Sequence, residues 1–236
     1  MSKLLISVTS AEEALLALEG GADIIDMKNP HEGALGALPH SIVRQAVEAV
    51  DGRRITSATT GDLPMQPELI CQAVMQMKMT GVDIIKVGFF GSERDNMACI
   101  HALQPLIAEH KLAMVAVLMA DIAPQLTLLP LLREAGFWGA MLDTAHKDGR
   151  SLLAHMSEQE LREFVHLAAG MQTGLAGSLN IENIENIVKM KPSYVGVRGA
   201  VCEGLDRVAK LCKSRVSALR VLLYNYNKSV ESADLA

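Results

Sequence analysis

The chain has 236 residues, half of them apolar but only 3% aromatic, and a formal net charge of −5. This is enough chain for one large domain with an aliphatic core of Ala, Val, Ile, Leu and Met. Charges of both signs are scattered, which argues against a nucleic-acid surface or a polybasic membrane patch, and no apolar run reaches the roughly 18–20 residues of a spanning helix.

Met1–Val8 is a short apolar run that turns at once into Thr-Ser-Ala-Glu-Glu, so it reads as a first strand, Lys3–Val8, and not as a signal peptide. A soluble, cytoplasmic protein is expected. Ser10-Ala-Glu-Glu opens an amphipathic helix with a capping-box pattern (Ser10, Glu13) that stops at Gly20-Gly21. Asp23–Lys28 is the second strand, followed by a Gly-rich loop over His31–Leu38 and a helix over His40–Val50. The third strand is Arg53–Thr59, and Pro67 begins a helix ending at Gly81. Asp83–Phe90 is the fourth strand, Arg94–His110 a helix, Ala113–Met119 the fifth strand and Pro124–Gly136 its helix. Trp138–Thr144 is the sixth strand, with a loop over Ala145–Ser151 and a helix from Ser157 to Gly170. Gln172–Gly177 and Ile181–Met190 form the seventh unit; Tyr194–Gly199 and a helix over Asp206–Tyr224 form the eighth. The polar residues Asn225–Ala236 read as a frayed tail.

Eight strands alternating with eight helices and no linker predict an α/β fold, a single-domain parallel (β/α)8 TIM barrel over residues 1–224. An open doubly wound sheet would show a Gly-x-Gly-x-x-Gly turn after the first strand, and Val8-Thr-Ser-Ala has none.

Two stretches carry charge where a buried strand should have none. Gly21-Ala-Asp-Ile-Ile-Asp-Met-Lys is echoed by Gly81-Val-Asp-Ile-Ile-Lys-Val-Gly. Strand residues two apart share a face, so Asp26 and Lys28 point the same way. The second, fourth and sixth strands each follow a helix-ending glycine (Gly21, Gly81, Gly136). Aligned from these glycines, Lys28 and Asp143 share a level near the C-terminal mouth, and Asp26 and Lys86 share the level below. Ion pairs that merely fill the barrel would give the same pattern, but barrel active sites occupy this end of the strands.

Desolvation and a neighbouring cation both disfavour a buried ammonium, and a neutral amine attacks a carbonyl to form an imine. Lys28, Lys86 and Lys147 are the candidates, with Asp26 placed to hold Lys28 and move protons. Ala176-Gly-Ser-Leu-Asn and Gly196-Val-Arg-Gly-Ala-Val follow the seventh and eighth strands, the habitual phosphate-binding place of this architecture. Gly177, Ser178, Arg198, Gly199 and Ala200 are therefore expected to hold a phosphate, Arg198 as its charge. A phosphorylated carbonyl compound is the substrate class. Cys71, Cys99, Cys202 and Cys212 form no Cys-x-x-Cys pair and the seven histidines lack ligand spacing within a helix, so reduced thiols and no metal are expected.

Asp26-Met-Lys-Asn-Pro, Glu32-Gly-Ala-Leu-Gly-Ala, Ser57-Ala-Thr-Thr-Gly-Asp, Asp83-Ile-Ile-Lys-Val-Gly, Met141-Leu-Asp-Thr-Ala-His-Lys-Asp-Gly, Leu175-Ala-Gly-Ser and Val195-Gly-Val-Arg-Gly-Ala-Val-Cys occur in order. In this the chain resembles, over nearly its whole length, the (5-formylfuran-3-yl)methyl phosphate synthase family of methanogenic archaea and methylotrophic bacteria. The resemblance implies condensation of two molecules of glyceraldehyde 3-phosphate to a furan aldehyde that keeps one phosphate, with loss of the other and of water, for methanofuran synthesis. It implies that Lys28 is the Schiff-base lysine and Lys86 the proton acceptor, with Asp26, Asp143 and Lys147 completing the charged set. No cofactor is implied. Two departures are a Met at position 27, where archaeal relatives tend to have Val, and a short segment between the eighth strand and its helix. A class I aldolase of the deoxyribose-phosphate type and a non-catalytic sugar-phosphate-binding barrel are the competing readings. An apolar chain of this kind is expected to self-associate as a homo-oligomer.

Overall fold

A computed structural model describes residues 1–146 and 148–234. Strands and helices alternate as β1 (Lys3–Val8), α1 (Ala11–Glu19), β2 (Ile24–Met27), α2 (His40–Val50), β3 (Ile55–Thr59), α3 (Pro67–Lys78), β4 (Ile84–Phe89) and α4 (Glu93–His110). The second half runs β5 (Ala113–Met119), α5 (Leu129–Glu134), β6 (Gly139–Asp143), α6 (Glu158–Leu167), β7 (Gln172–Leu175), α7 (Ile181–Lys189), β8 (Tyr194–Val197) and α8 (Lys213–Asp234). The strands are parallel, each pairs with its neighbours in chain order, and β8 pairs with β1 to close the barrel.

Strand alternation sorts the apolar residues into two cores. Leu4, Ile6, Ile25, Met27, Ala58, Ile85, Val87, Ala140 and Val195 point outward and pack under the helices in one large aliphatic layer. Leu5, Ile24, Ile84, Val115, Val117, Met141 and Tyr194 point inward and form a smaller plug. Apart from the buried Tyr194 hydroxyl, the plug is apolar toward the N-terminal ends of the strands. Toward the C-terminal ends it gives way to Ser7, Asp26, Lys28, Ser57, Lys86 and Asp143, all buried. At the floor the Tyr194 ring stacks on Trp138, with centroids 6.4 Å apart. Gly174 of β7 lies against that ring, and any Cβ there would collide with it.

Several boundaries depart from expectation, each for a local reason. The helix expected over Pro124–Gly136 is short. Ala123 is left-handed (φ 54°), 3-10 turns occupy Ala120–Ile122 and Leu126–Leu128, and α5 has its proline in the first turn, where no N–H is needed. The segment between β8 and α8 is not short. It holds 3-10 turns at Gly199–Val201 and Glu203–Leu205 and an antiparallel bridge between Cys202 and Leu211, so α8 begins at Lys213 and not at Asp206. Nor is the stretch after Tyr224 a frayed tail: α8 continues to Asp234. Asn227 is buried and explains this. Its Oδ1 accepts from Ser2 N at 2.8 Å and its Nδ2 donates to Ser2 O at 2.9 Å, so the last helix clamps the start of the chain. No helix among the described residues is long and apolar enough to cross a membrane.

Candidate active site

β1, β2 and β3 pair so that Ser7, Asp26 and Ser57 stand side by side. All three face inward, and the two hydroxyls flank the carboxylate. Ser57 Oγ donates to Asp26 Oδ1 at 2.6 Å and Ser7 Oγ to Oδ2 at 3.0 Å. Lys86 Nζ, from β4, donates to the same Oδ2 at 2.8 Å. A carboxylate with no exposure would be prohibitive unpaired; three donors make it tolerable. Burial pushes the Asp26 carboxyl up, but the ammonium groups of Lys86 and Lys28 and the serine hydrogen bond outweigh it and hold it below the ordinary carboxylate range. The opposite balance governs Lys86. Burial, helped by the charge of Lys28, outweighs Asp26 and pushes the Lys86 amine below the ordinary lysine value.

Lys28 sits one residue beyond β2, where the strand enters its loop. Its Nζ donates to Asp143 Oδ2 at 3.2 Å, and Asp143 Oδ1 accepts from Thr144 N at 2.7 Å at the end of β6. The two pairs that the glycine alignment placed at common levels are thus ion pairs inside the barrel. All four residues line one cavity of about 360 Å³ at the C-terminal mouth. Lys28 is 8% exposed against 1% for Lys86, so an entering molecule meets the Lys28 amine first. Lys147, expected beside Asp143, lies outside the described residues.

The opposite wall is main chain. Gly177, Ser178, Leu179 and Asn180 line the cavity between β7 and α7, and Arg198, Gly199 and Ala200 line it after β8. Gly177 has φ 110°, and a Cβ there would lie 2.9 Å from Thr144 Cγ2, so only glycine allows this approach of the β7 loop to the β6 loop. The N–H groups of Ser178, Leu179, Gly199 and Ala200 make no hydrogen bond to another described residue. Asn180 caps α7, accepting from Asn183 N at 3.0 Å, so the helix N-terminus opens on the same wall. Uncommitted N–H groups at a helix start are a seat for an anion.

Arg198 is a correction to the reading of sequence. Its guanidinium donates to Ser7 O (2.9 Å), Glu13 Oε2 (2.8 Å), Glu13 Oε1 (3.3 Å), Ala209 O (3.1 Å) and Arg207 O (2.6 Å). Those five bonds use every N–H a guanidinium has, so its charge is committed to the fold and not to a ligand. Glu13 is corrected with it. Ser10 does cap α1, but the Glu13 carboxylate turns to Thr9 N, Arg198 and Leu211 N in place of closing a capping box. No local pattern marks Ser7 or Arg207 as lining the mouth, or Glu13 as the anchor of Arg198. Ser57 belongs to Ser57-Ala-Thr-Thr-Gly-Asp, but nothing in that stretch signals its hydrogen bond to Asp26.

Among the described residues no group of three or more His, Cys, Asp or Glu is placed to hold a metal ion. The chemistry on offer is that of amines. An accessible lysine, a second amine with its ammonium disfavoured, two carboxylates and an anion seat share a cavity within the range of about 300–1,000 Å³ usual for small-molecule sites.

Comparison with known proteins finds one family over most of the chain. The 4-HFC-P synthase family model matches residues 4–220. A (5-formylfuran-3-yl)methyl phosphate synthase from Methanopyrus kandleri is 40% identical over 87% of this chain and 91% of its own length. A protein from Methylorubrum extorquens described as a putative (5-formylfuran-3-yl)methyl phosphate synthase is 39% identical over 91% of this chain and 89% of its own. Among solved structures, phosphoribosyl anthranilate isomerase from Thermus thermophilus superposes with a TM-score of 0.66 at 16% identity, covering 94% of this chain and 98% of that one. The 3-hexulose-6-phosphate synthase of Salmonella typhimurium gives 0.65 at 16%, covering 95% and 99%. At such identities these structures speak for the barrel alone.

Proposed function

The chain belongs to the 4-HFC-P synthase family, and from that membership and the site we propose that it joins two molecules of glyceraldehyde 3-phosphate into (5-formylfuran-3-yl)methyl phosphate through an imine on Lys28. The observation that carries this reading is the pairing of two amines with two carboxylates in one cavity that also has a main-chain anion seat.

The Lys28 nitrogen lone pair adds to the aldehyde carbon of one triose phosphate, and loss of water leaves an iminium. That iminium draws electrons from the neighbouring carbon, whose proton passes to Lys86, the amine on which burial disfavours a proton. The enamine carbon attacks the carbonyl of the second triose. Elimination of phosphate, ring closure and dehydration then form the furan and release Lys28. Asp26, held to Lys86 by a direct hydrogen bond, and Asp143, held to Lys28, relay the protons. Lys147 steadies anionic groups.

Two trioses minus one phosphate and two waters equal the furan product, so the balance asks for no oxidant, reductant or nucleotide. Aromatisation draws the sequence forward. The product is a precursor for methanofuran synthesis in this reading, and the enzyme a carbon–oxygen lyase acting on phosphates.

The test is incubation with glyceraldehyde 3-phosphate alone. Release of inorganic phosphate with growth of a furan absorbance is the expected result; an aldolase of the deoxyribose-phosphate type gives neither, and a non-catalytic binder shows uptake without turnover. Borohydride added with substrate should leave a stable mass on Lys28. A Lys28→Ala protein that still makes product ends the imine mechanism.

A further inference from the structure

If two triose phosphates meet in one cavity, two phosphate groups have to be held at once, and the main-chain seat after β7 and β8 is at one side. Among the described residues four cationic side chains line the cavity: Lys28, Lys86, Arg198 and Arg207. Each lysine is paired with a carboxylate, and Arg198 has every N–H committed. Arg207 differs. Among the described residues its guanidinium donates one hydrogen bond, from Nη2 to Gly33 O at 3.1 Å. It is half-buried, feels the charges of Asp143, Asp206 and Asp62, and makes no contact ion pair with another described residue.

The backbone beneath Arg207 is held on both sides, while most of its guanidinium N–H groups have no partner among the described residues. The bridge between Cys202 and Leu211 closes a loop whose inner carbonyls, Arg207 O and Ala209 O, accept from Arg198 at 2.6 and 3.1 Å. Glu13 holds the loop's far end through Leu211 N at 3.0 Å and neutralises Arg198 in the same stroke. The Gly33 side is also pinned: Asp62 accepts from Ala34 N and Leu35 N, both at 2.8 Å. Arg207 therefore spans from the loop after β8 to the loop after β2, the side on which Lys28 stands and away from the β7 loop. A guanidinium there is a bidentate partner for a phosphate monoester dianion.

We propose that Arg207 binds the phosphate of the second triose phosphate, as the cationic half of a two-phosphate site, and that Glu13 and Arg198 are positioning residues for its loop. The proposal rests on the reading of the cavity as the meeting place of two triose phosphates.

The test uses glycerol 3-phosphate, which has the phosphate monoester but no carbonyl and so forms no imine. Calorimetry on the wild type should show two equivalents bound. Arg207→Met should lose one of them or weaken it about tenfold or more, as loss of a charge-assisted bond implies, and Arg207→Lys should fall between. In kinetics with glyceraldehyde 3-phosphate the methionine variant should raise KM while borohydride still labels Lys28. Wild type that binds one equivalent, or an Arg207→Met protein that binds two at unchanged affinity, overturns the proposal. If the wild type turns over triose phosphate and the variant matches it in KM and binding, the synthase reading stands and this one falls. If two-site binding depends on Arg207 but no furan forms, the phosphate site stands and the synthase reading falls.

Discussion

Asp26→Asn takes one charge out of the most deeply buried ion pair and leaves the shape nearly unchanged. The wild-type carboxylate accepts from Lys86 at 2.8 Å, Ser57 at 2.6 Å and Ser7 at 3.0 Å, with no exposure to water. Removing one partner of such a pair costs about 3–5 kcal/mol because the other charge stays buried, against a total stability of about 5–15 kcal/mol. Lys86 has an escape, since burial already pushes its amine toward the neutral form and Asp26 is the chief group resisting that. In the variant the folded-state value falls further. Between it and the unfolded value of about 10.4 the unfolded chain binds the extra proton, so stability rises with pH there. The deficit of Asp26→Asn should therefore be largest near pH 5 and narrow toward pH 9. Urea unfolding of wild type, Asp26→Asn, Lys86→Met and the double variant measures both quantities. The double variant should cost less than the sum of the singles by about 2 kcal/mol or more. Additivity to within about 0.5 kcal/mol would refute the claim that these two residues act as one charged unit.

The same pair predicts a pH profile: kcat/KM should rise through a midpoint below the ordinary lysine value, where Lys86 loses its proton, and Asp26→Asn should move that midpoint lower still, read from initial rates of phosphate release. Gly177→Ala asks a Cβ to sit at φ 110° and 2.9 Å from Thr144 Cγ2, so it should cost about 1–3 kcal/mol in thermal or urea unfolding and raise KM for the phosphorylated substrate. Glu13→Gln leaves the buried Arg198 charge unmatched and should destabilise by about 3–5 kcal/mol; unchanged unfolding would mean the pair carries no structural role. Asn227→Ala strips two buried hydrogen bonds from Ser2, for a loss of about 1–3 kcal/mol, with faster amide exchange at the start of β1.

Much of this was legible because barrels reward periodic sequence. Parallel strands buried on both faces read as Ile- and Val-rich runs, each helix-ending glycine marks a level, and a period of two decides which residues face inward. A lysine or aspartate in such a run has no solvent to turn to, so Asp26, Lys28, Lys86 and Asp143 announced an interior site, and even their pairing followed from counting. The β8-to-α8 segment was the opposite case. Asp206 and Arg207 looked like the opening of a helix, because local propensity cannot see that Arg198 and Glu13 bind carbonyls and an amide from a loop folded back over the mouth. Asn227 likewise read as tail until its partner proved to be the second residue of the chain.

By itself, then, the amino-acid sequence determined the alternation of strand and helix, the closed parallel barrel and the presence of charged groups at one rim, since each depends on spacing along one strand or one turn. Only the tertiary structure decided which arginine is spent holding a loop and which is left facing the cavity. That choice depends on acceptors brought together from residues up to 191 positions apart, as between Ser7 and Arg198, and no local pattern encodes a distance in space.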